Sequence, residues 1–155
     1  PDLRLAFYGQ LGDSYNAMGN YQKSDASYEK ALEVDALNDY ALNNYSYYLS
    51  LRGEKLDKAE VMSASLIERY PENSSYLDTH AWVLYKSGKL KESKKIFERA
   101  IKINGVDGII FEHYGDVLFK LGRKEEALAQ WQKAKEVGRA SDLIDKKIAD
   151  RKLYE

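Results

Sequence analysis

An all-α solenoid, four helix pairs followed by one closing helix, is the fold predicted by this sequence of 155 residues. Three observations lead to it. Gly19, Gly53, Gly88 and Gly122 fall 34, 35 and 34 residues apart, an internal period that marks stacked repeats. Small residues recur at fixed distances on both sides of these glycines: Gly12, Ser46, Ala81 and Gly115 before them, and Ser24, Ala59, Ser93 and Ala127 after them. Finally, only two prolines are present, and four of the ten glycines stand where a helix would close, so the chain reads as nearly all helical.

The first unit, residues 5–38, sets Tyr8, Leu11, Gly12 and Tyr15 on one helix, turns at Gly19, and sets Ser24, Tyr28 and Ala31 on the next. The second, 39–73, follows the same plan with Ser46, Leu49 and Gly53, but GEKLDK adds one residue before Ala59, which lengthens a turn and leaves both helix registers intact. Its second helix departs from the others by carrying Ser63 and Leu66 where they carry an aromatic and an alanine. The third, 74–107, places Ala81, Leu84, Gly88, Ser93, Phe97 and Ala100 in step. The fourth, 108–141, does so with Phe111, Gly115, Leu118, Gly122, Ala127, Trp131 and Ala134. A last helix is predicted within 142–155, capped by Ser141 and burying Leu143, Ile144, Ile148 and Leu153 along one charged-flanked stripe. No helix of this kind precedes Leu5, and a start at Pro1 without Met marks a mature product or an excised piece of a longer protein. Neither helix of a pair hides its apolar stripe alone, so the units must stack.

At these residues the chain resembles the tetratricopeptide repeat family, whose motif of about 34 residues has an early aromatic, Leu-Gly, Tyr, Gly, Ala, an aromatic, Ala and a closing Pro. Pro71 stands at the place of that proline. The resemblance implies a right-handed solenoid and a non-catalytic scaffold with no cofactor, in which the first helix of each unit lines a groove for an extended peptide or another protein's helix. FEHYGDVLFKLG and the aromatic-rich first helix of the third unit are also similar to bacterial multi-repeat proteins, some of them exported to the envelope.

Family positions facing the groove, carried onto this chain, nominate Asp13, Tyr40, Asn43, Tyr47, Asp78, Trp82, Tyr85, Glu112, Asp116 and Phe119 as partner-binding residues. In YLDTHAWVLYKSGK the helical spacing puts Asp78, Trp82 and Tyr85 on the groove side, opposite the packing stripe of Leu77, Ala81 and Leu84. The wall so defined is aromatic and acidic, and implies a protein or peptide segment that is basic or neutral with apolar anchors. The family's carboxylate clamp for chaperone tails is missing, because Gly9, Asp13, Asp78, Thr79 and Glu112 occupy its positions. The competing expectation is an architectural spacer that self-associates through its uncapped first unit.

Charge and motif argue against other classes. The 24 basic and 25 acidic residues nearly cancel, and although the third unit is locally positive, its KLKESKKIFERAIK reads as a solvated outer helix rather than a nucleic-acid surface. No apolar run approaches the roughly 20 residues that cross a bilayer. Cysteine is absent, which fits a reducing cytoplasm and an envelope compartment equally. No phosphate loop, nucleophile elbow or zinc-protease motif occurs. His80 reads as a packing residue and His113 as a polar, partly exposed one. Asp78, Glu112 and Asp116 could bring three carboxylates together, but without the further oxygens and loop that a hard cation needs.

Overall fold

The computed structural model describes residues 3–155 and contains, among them, nine helices and no strand. Four antiparallel pairs follow one another: α1 (Leu3–Ala17) with α2 (Tyr21–Val34), α3 (Asp39–Arg52) with α4 (Leu56–Arg69), α5 (Ser74–Lys86) with α6 (Leu90–Ala100), and α7 (Gly108–Lys120) with α8 (Lys124–Val137). The short α9 (Ile144–Asp150) follows the fourth pair.

The four periodic glycines all take the left-handed backbone conformation, with φ of 73°, 67°, 78° and 79°. Each closes the first helix of its pair in the same way. The residue after the glycine donates its N–H back across the turn, Asn20 to Tyr15, Glu54 to Leu49, Lys89 to Leu84 and Arg123 to Leu118, at 2.8–3.0 Å. After Gly53 the chain travels one residue further before α4 begins, and Lys55 takes φ of 45° to absorb it. Helix starts are fixed by asparagine: Asn20, Asn38 and Asn73 accept the N–H of Lys23, Ala41 and Tyr76.

The small residues answer to a rigid distance requirement. A methyl group on Gly12 would stand 2.7 Å from the Tyr28 ring, and one on Gly115 would stand 2.5 Å from Trp131. Where the facing residue is serine, it bonds the opposing backbone instead: Ser24 Oγ to the Gly12 carbonyl at 2.8 Å and Ser93 Oγ to the Ala81 carbonyl at 2.6 Å. Between pairs, an aromatic of one second helix stacks on the next first helix, Tyr28 on Tyr45 at 5.4 Å and Phe97 on Tyr114 at 6.1 Å. At the intervening junction Ser63 and His80 replace the two rings, and Ser63 Oγ lies 2.8 Å from His80 Nδ1. Burial holds the His80 imidazole below its usual pKa.

The buried apolar residues form two clusters, one around Tyr28, Tyr45, Leu49 and Leu66, the other around Leu77, Phe97, Leu118 and Trp131 with Ile144 of α9. The closing helix differs from expectation. It spans seven residues, Ser141 lies before it rather than at its cap, Leu153 lies beyond it, and Leu143 is exposed. The residue it buries beside Ile144 is Lys147, at 3% exposure. No helix among the described residues is long and apolar enough to cross a membrane.

Candidate partner-binding face

The ten nominated residues lie on α1, α3, α5 and α7, the first helices of the four pairs. Their accessibility divides them. Tyr40 is exposed, Asp13, Asn43, Tyr47, Asp78 and Phe119 are half-buried, and Trp82, Tyr85, Glu112 and Asp116 are buried.

The carboxylates are spent inside the protein. Asp13 accepts the hydroxyls of Tyr28 and Tyr40, and the Nδ2 of Asn44 at 3.3 Å. The bond from Tyr40 to Asp13 drives the Tyr40 hydroxyl pKa up to about 12. Asp78 lies 2.8 Å from Nδ1 of His113. Burial opposes the imidazolium, yet the Asp78 charge and hydrogen bond prevail and hold His113 above its ordinary pKa. Lys147 Nζ reaches Glu112 at 2.8 Å and both oxygens of Asp116 at 2.8 and 2.9 Å. Ser141 adds two bonds to Glu112, from its N–H at 2.7 Å and its Oγ at 2.6 Å, while Trp131 Nε1 donates to Asp116 at 2.9 Å. Despite burial, these contacts hold Glu112 below the usual glutamate range. Asp116 is pushed up to about 6 by burial, which outweighs the opposing pull of Lys147.

These bonds correct the expected acidic wall: Glu112 and Asp116 face a lysine of the same chain, not solvent. They also follow a rule. The sixth residue of each later unit, counted in the frame above, reaches back to the unit before it, Asn44 to Asp13 and His113 to Asp78. Extending the frame by one unit makes Lys147 the sixth residue again, so α9 docks as the opening of a fifth first helix. The apolar stripe predicted for this helix did not include Lys147, because lysine normally stays in solvent. The extended register was the signal that could have found it. His113 likewise proves buried, at 7% exposure.

The junction between α3 and α5 breaks the rule. Its sixth residue, Thr79, is buried without reaching back, and Asn43 keeps a buried Oδ1 that no donor among the described residues meets. Asn43, Tyr47 and Asp78 come together here in a depression of about 250 Å³, with Ser75, Thr79 and Ile109 completing its walls. Trp82, Glu112 and Asp116 line a second of about 250 Å³, closed on one side by Lys147, Tyr154 and Glu155. Phe119 stacks on Trp131 at 5.6 Å and faces the chain's end at Leu153. Tyr85 donates its hydroxyl to Glu155. Tyr85 and Trp82 stack at 4.6 Å, and Trp82 stacks on His113 at 4.1 Å.

Helix pairs in a fixed register, with each unit bonded mainly to its neighbours, define a helical-repeat scaffold. Models of the tetratricopeptide repeat match residues 5–36 and 79–140, and the chain belongs to that family. It is therefore a right-handed solenoid of a type that is generally a protein-interaction scaffold. It is 28% identical over 99 residues to the type IV pilus assembly protein PilF of Pseudomonas aeruginosa, a match covering 63% of this chain and 39% of that protein. The chain thus spans about two fifths of this curated relative. Solved structures of similar fold include a tetratricopeptide repeat protein from Parabacteroides merdae, with TM-score 0.79 and 19% identity over 95% of this chain and 57% of that one. Another is Pseudomonas aeruginosa PilF, with TM-score 0.73 and 21% identity over 92% and 66%. MamA from Desulfovibrio magneticus follows at TM-score 0.73 and 15% identity over 87% and 76%.

Proposed function

We propose that the first-helix face binds an extended segment of a partner protein, with the open junction between α3 and α5 at its centre. The observation carrying this reading is the unmet Oδ1 of Asn43 in a depression shared with Tyr47 and Asp78. A buried acceptor without a donor is uncommon in a finished core and suits a site completed by a ligand. A peptide N–H or a basic side chain supplies the donor, and Tyr47 offers rigid apolar area beside it. Likeness to a pilus assembly protein supports a scaffold that brings proteins together rather than one that does chemistry.

The test is selection of a displayed random peptide library on the full chain. Enriched peptides should lose at least about tenfold in affinity, the equivalent of one hydrogen-bonded contact, in Asn43→Ala and Tyr47→Ala, with helicity unchanged. Failure to enrich, or equal affinity in both variants, rejects the reading.

One observation favours a second reading, self-association through the first pair: Leu3, Phe7 and Met18 are 80%, 59% and 75% exposed. Sedimentation velocity should then show growth with concentration that Phe7→Glu abolishes. A concentration-independent monomer disposes of it.

A further inference from the structure

Of the two indoles in the chain, Trp131 donates its Nε1–H to Asp116, whereas Trp82 has a buried Nε1–H with no acceptor among the described residues. Trp82 is only 7% exposed. Its ring is clamped between Tyr85 and His113, so the orphan donor is held in one orientation. The cavity it lines, about 250 Å³, has Leu51, Ile109 and Leu143 as apolar walls and the chain's end, Tyr154 and Glu155, as a side.

The polar groups of this cavity are already committed to one another. Lys147 holds Glu112 and Asp116, Ser141 holds Glu112, Asp78 holds His113 Nδ1, and Tyr85 holds Glu155. What remains open is a pair of donors, the Trp82 indole and Lys86, a lining residue that forms no ion pair among the described residues. An anion would meet those donors but also three carboxylates, Glu112, Asp116 and Glu155. A cation would meet Lys86 and Lys147. Only an uncharged acceptor satisfies the indole without a charge penalty, and the apolar walls call for an aliphatic group attached to it.

We propose that the cavity bounded by Leu51, Trp82, Ile109 and Tyr154 is a subsite for one uncharged aliphatic residue of a bound peptide, whose backbone carbonyl accepts the Trp82 indole N–H. This rests on the reading of the first-helix face as a peptide site and adds which residue class it selects. Asn43 in the neighbouring depression lacks a donor and Trp82 lacks an acceptor, and an extended backbone offers both.

The experiment is a titration of the ¹⁵N-labelled full chain, reading the two indole Nε1–H resonances and assigning them with Trp82→Phe. The probes are N-acetyl-L-leucinamide, N-acetyl-L-lysinamide and isovalerate. The leucinamide should shift the Trp82 resonance saturably and leave that of Trp131 in place. Leu51→Ala, at an exposed wall position, should weaken the response severalfold. No saturable shift with leucinamide, or a stronger response to isovalerate or lysinamide, overturns the proposal. The library selection separates it from the broader reading. Peptides that depend on Tyr47 but leave Trp82 unmoved retain the peptide face and reject the subsite. A leucinamide response without any enriched peptide retains the subsite and rejects the wider face.

Discussion

Ser63 Oγ and His80 Nδ1 meet at 2.8 Å where the junctions on either side set one aromatic ring against another. The pair is a local exchange of stacking for a hydrogen bond: with serine at 63 there is no ring to stack on, and the buried His80 ring nitrogen takes the Ser63 hydroxyl as its partner. Ser63→Ala removes that partner and should cost about 1–3 kcal/mol, the penalty of an unsatisfied buried polar group. Urea denaturation reads it as a lower midpoint at constant slope. A midpoint equal to wild type would mean that the bond carries no stability.

Lys147 bridges two buried carboxylates. Lys147→Met should therefore destabilise by about 3–5 kcal/mol, less if α9 simply undocks. Undocking is visible as faster proteolysis within 144–155. Adding Glu112→Gln and Asp116→Asn should recover most of the loss. If the triple variant is no more stable than the single one, the charge account is wrong.

Asp116 gives a pH signature. Its pKa is raised in the folded chain, to about 6, so the native state holds this proton more tightly than the unfolded chain does. The associated stability is complete below the ordinary aspartate value of 3.8 and is lost as pH rises through about 6. His113, also raised, acts in the same sense but from 6.5 upward, whereas the depressed Glu112 loses stability as pH falls below 4.5. Subtracting Asp116→Asn isolates the first effect: wild type should lose about 3 kcal/mol relative to the variant between pH 3 and pH 7. A difference that stays flat, or changes the other way, contradicts the assignment.

Two kinds of glycine should respond differently to alanine. Gly12→Ala and Gly115→Ala drive a methyl against Tyr28 and Trp131 and should cost about 1–3 kcal/mol by overpacking. Gly19→Ala meets open space but keeps φ at 73°, which should cost about 1–2 kcal/mol through the backbone alone. Restoring room distinguishes them in thermal melts: measured against Tyr28→Leu alone, Gly12→Ala should cost much less than it does in wild type, whereas Gly19→Ala should cost the same in both backgrounds.

The repeat was legible in the sequence because it is imposed by geometry that few residues satisfy. A left-handed turn asks for Gly19 and its counterparts, and a helix crossing against Tyr28 or Trp131 asks for Gly12 and Gly115. The face was legible only as a set of positions. Whether a carboxylate at such a position is free depends on a residue some 30 positions later: Lys147 for Glu112 and Asp116, His113 for Asp78, Asn44 for Asp13. A family pattern describes each unit separately and says nothing about this pairing, so Glu112 and Asp116 read as ligand-facing acids. Asn43, Tyr47 and Asp78 do converge, yet Asn43 stays unmet beside Thr79, which the pattern treats as ordinary.

Because α9 takes the place of a fifth first helix, the array carries a rule for its own lengthening. A duplicated copy of residues 108–141 inserted before α9 would bring a second His113 against the original Glu112 and Asp116, where Lys147 now stands. A protonated imidazole would neutralise those carboxylates as Lys147 does and a neutral one would not, so growth by simple copying would make the new seam weaken in alkaline solution. A longer array free of that weakness would carry a permanent cation in place of that one histidine, and sequence histories of longer arrays can be searched for the paired event.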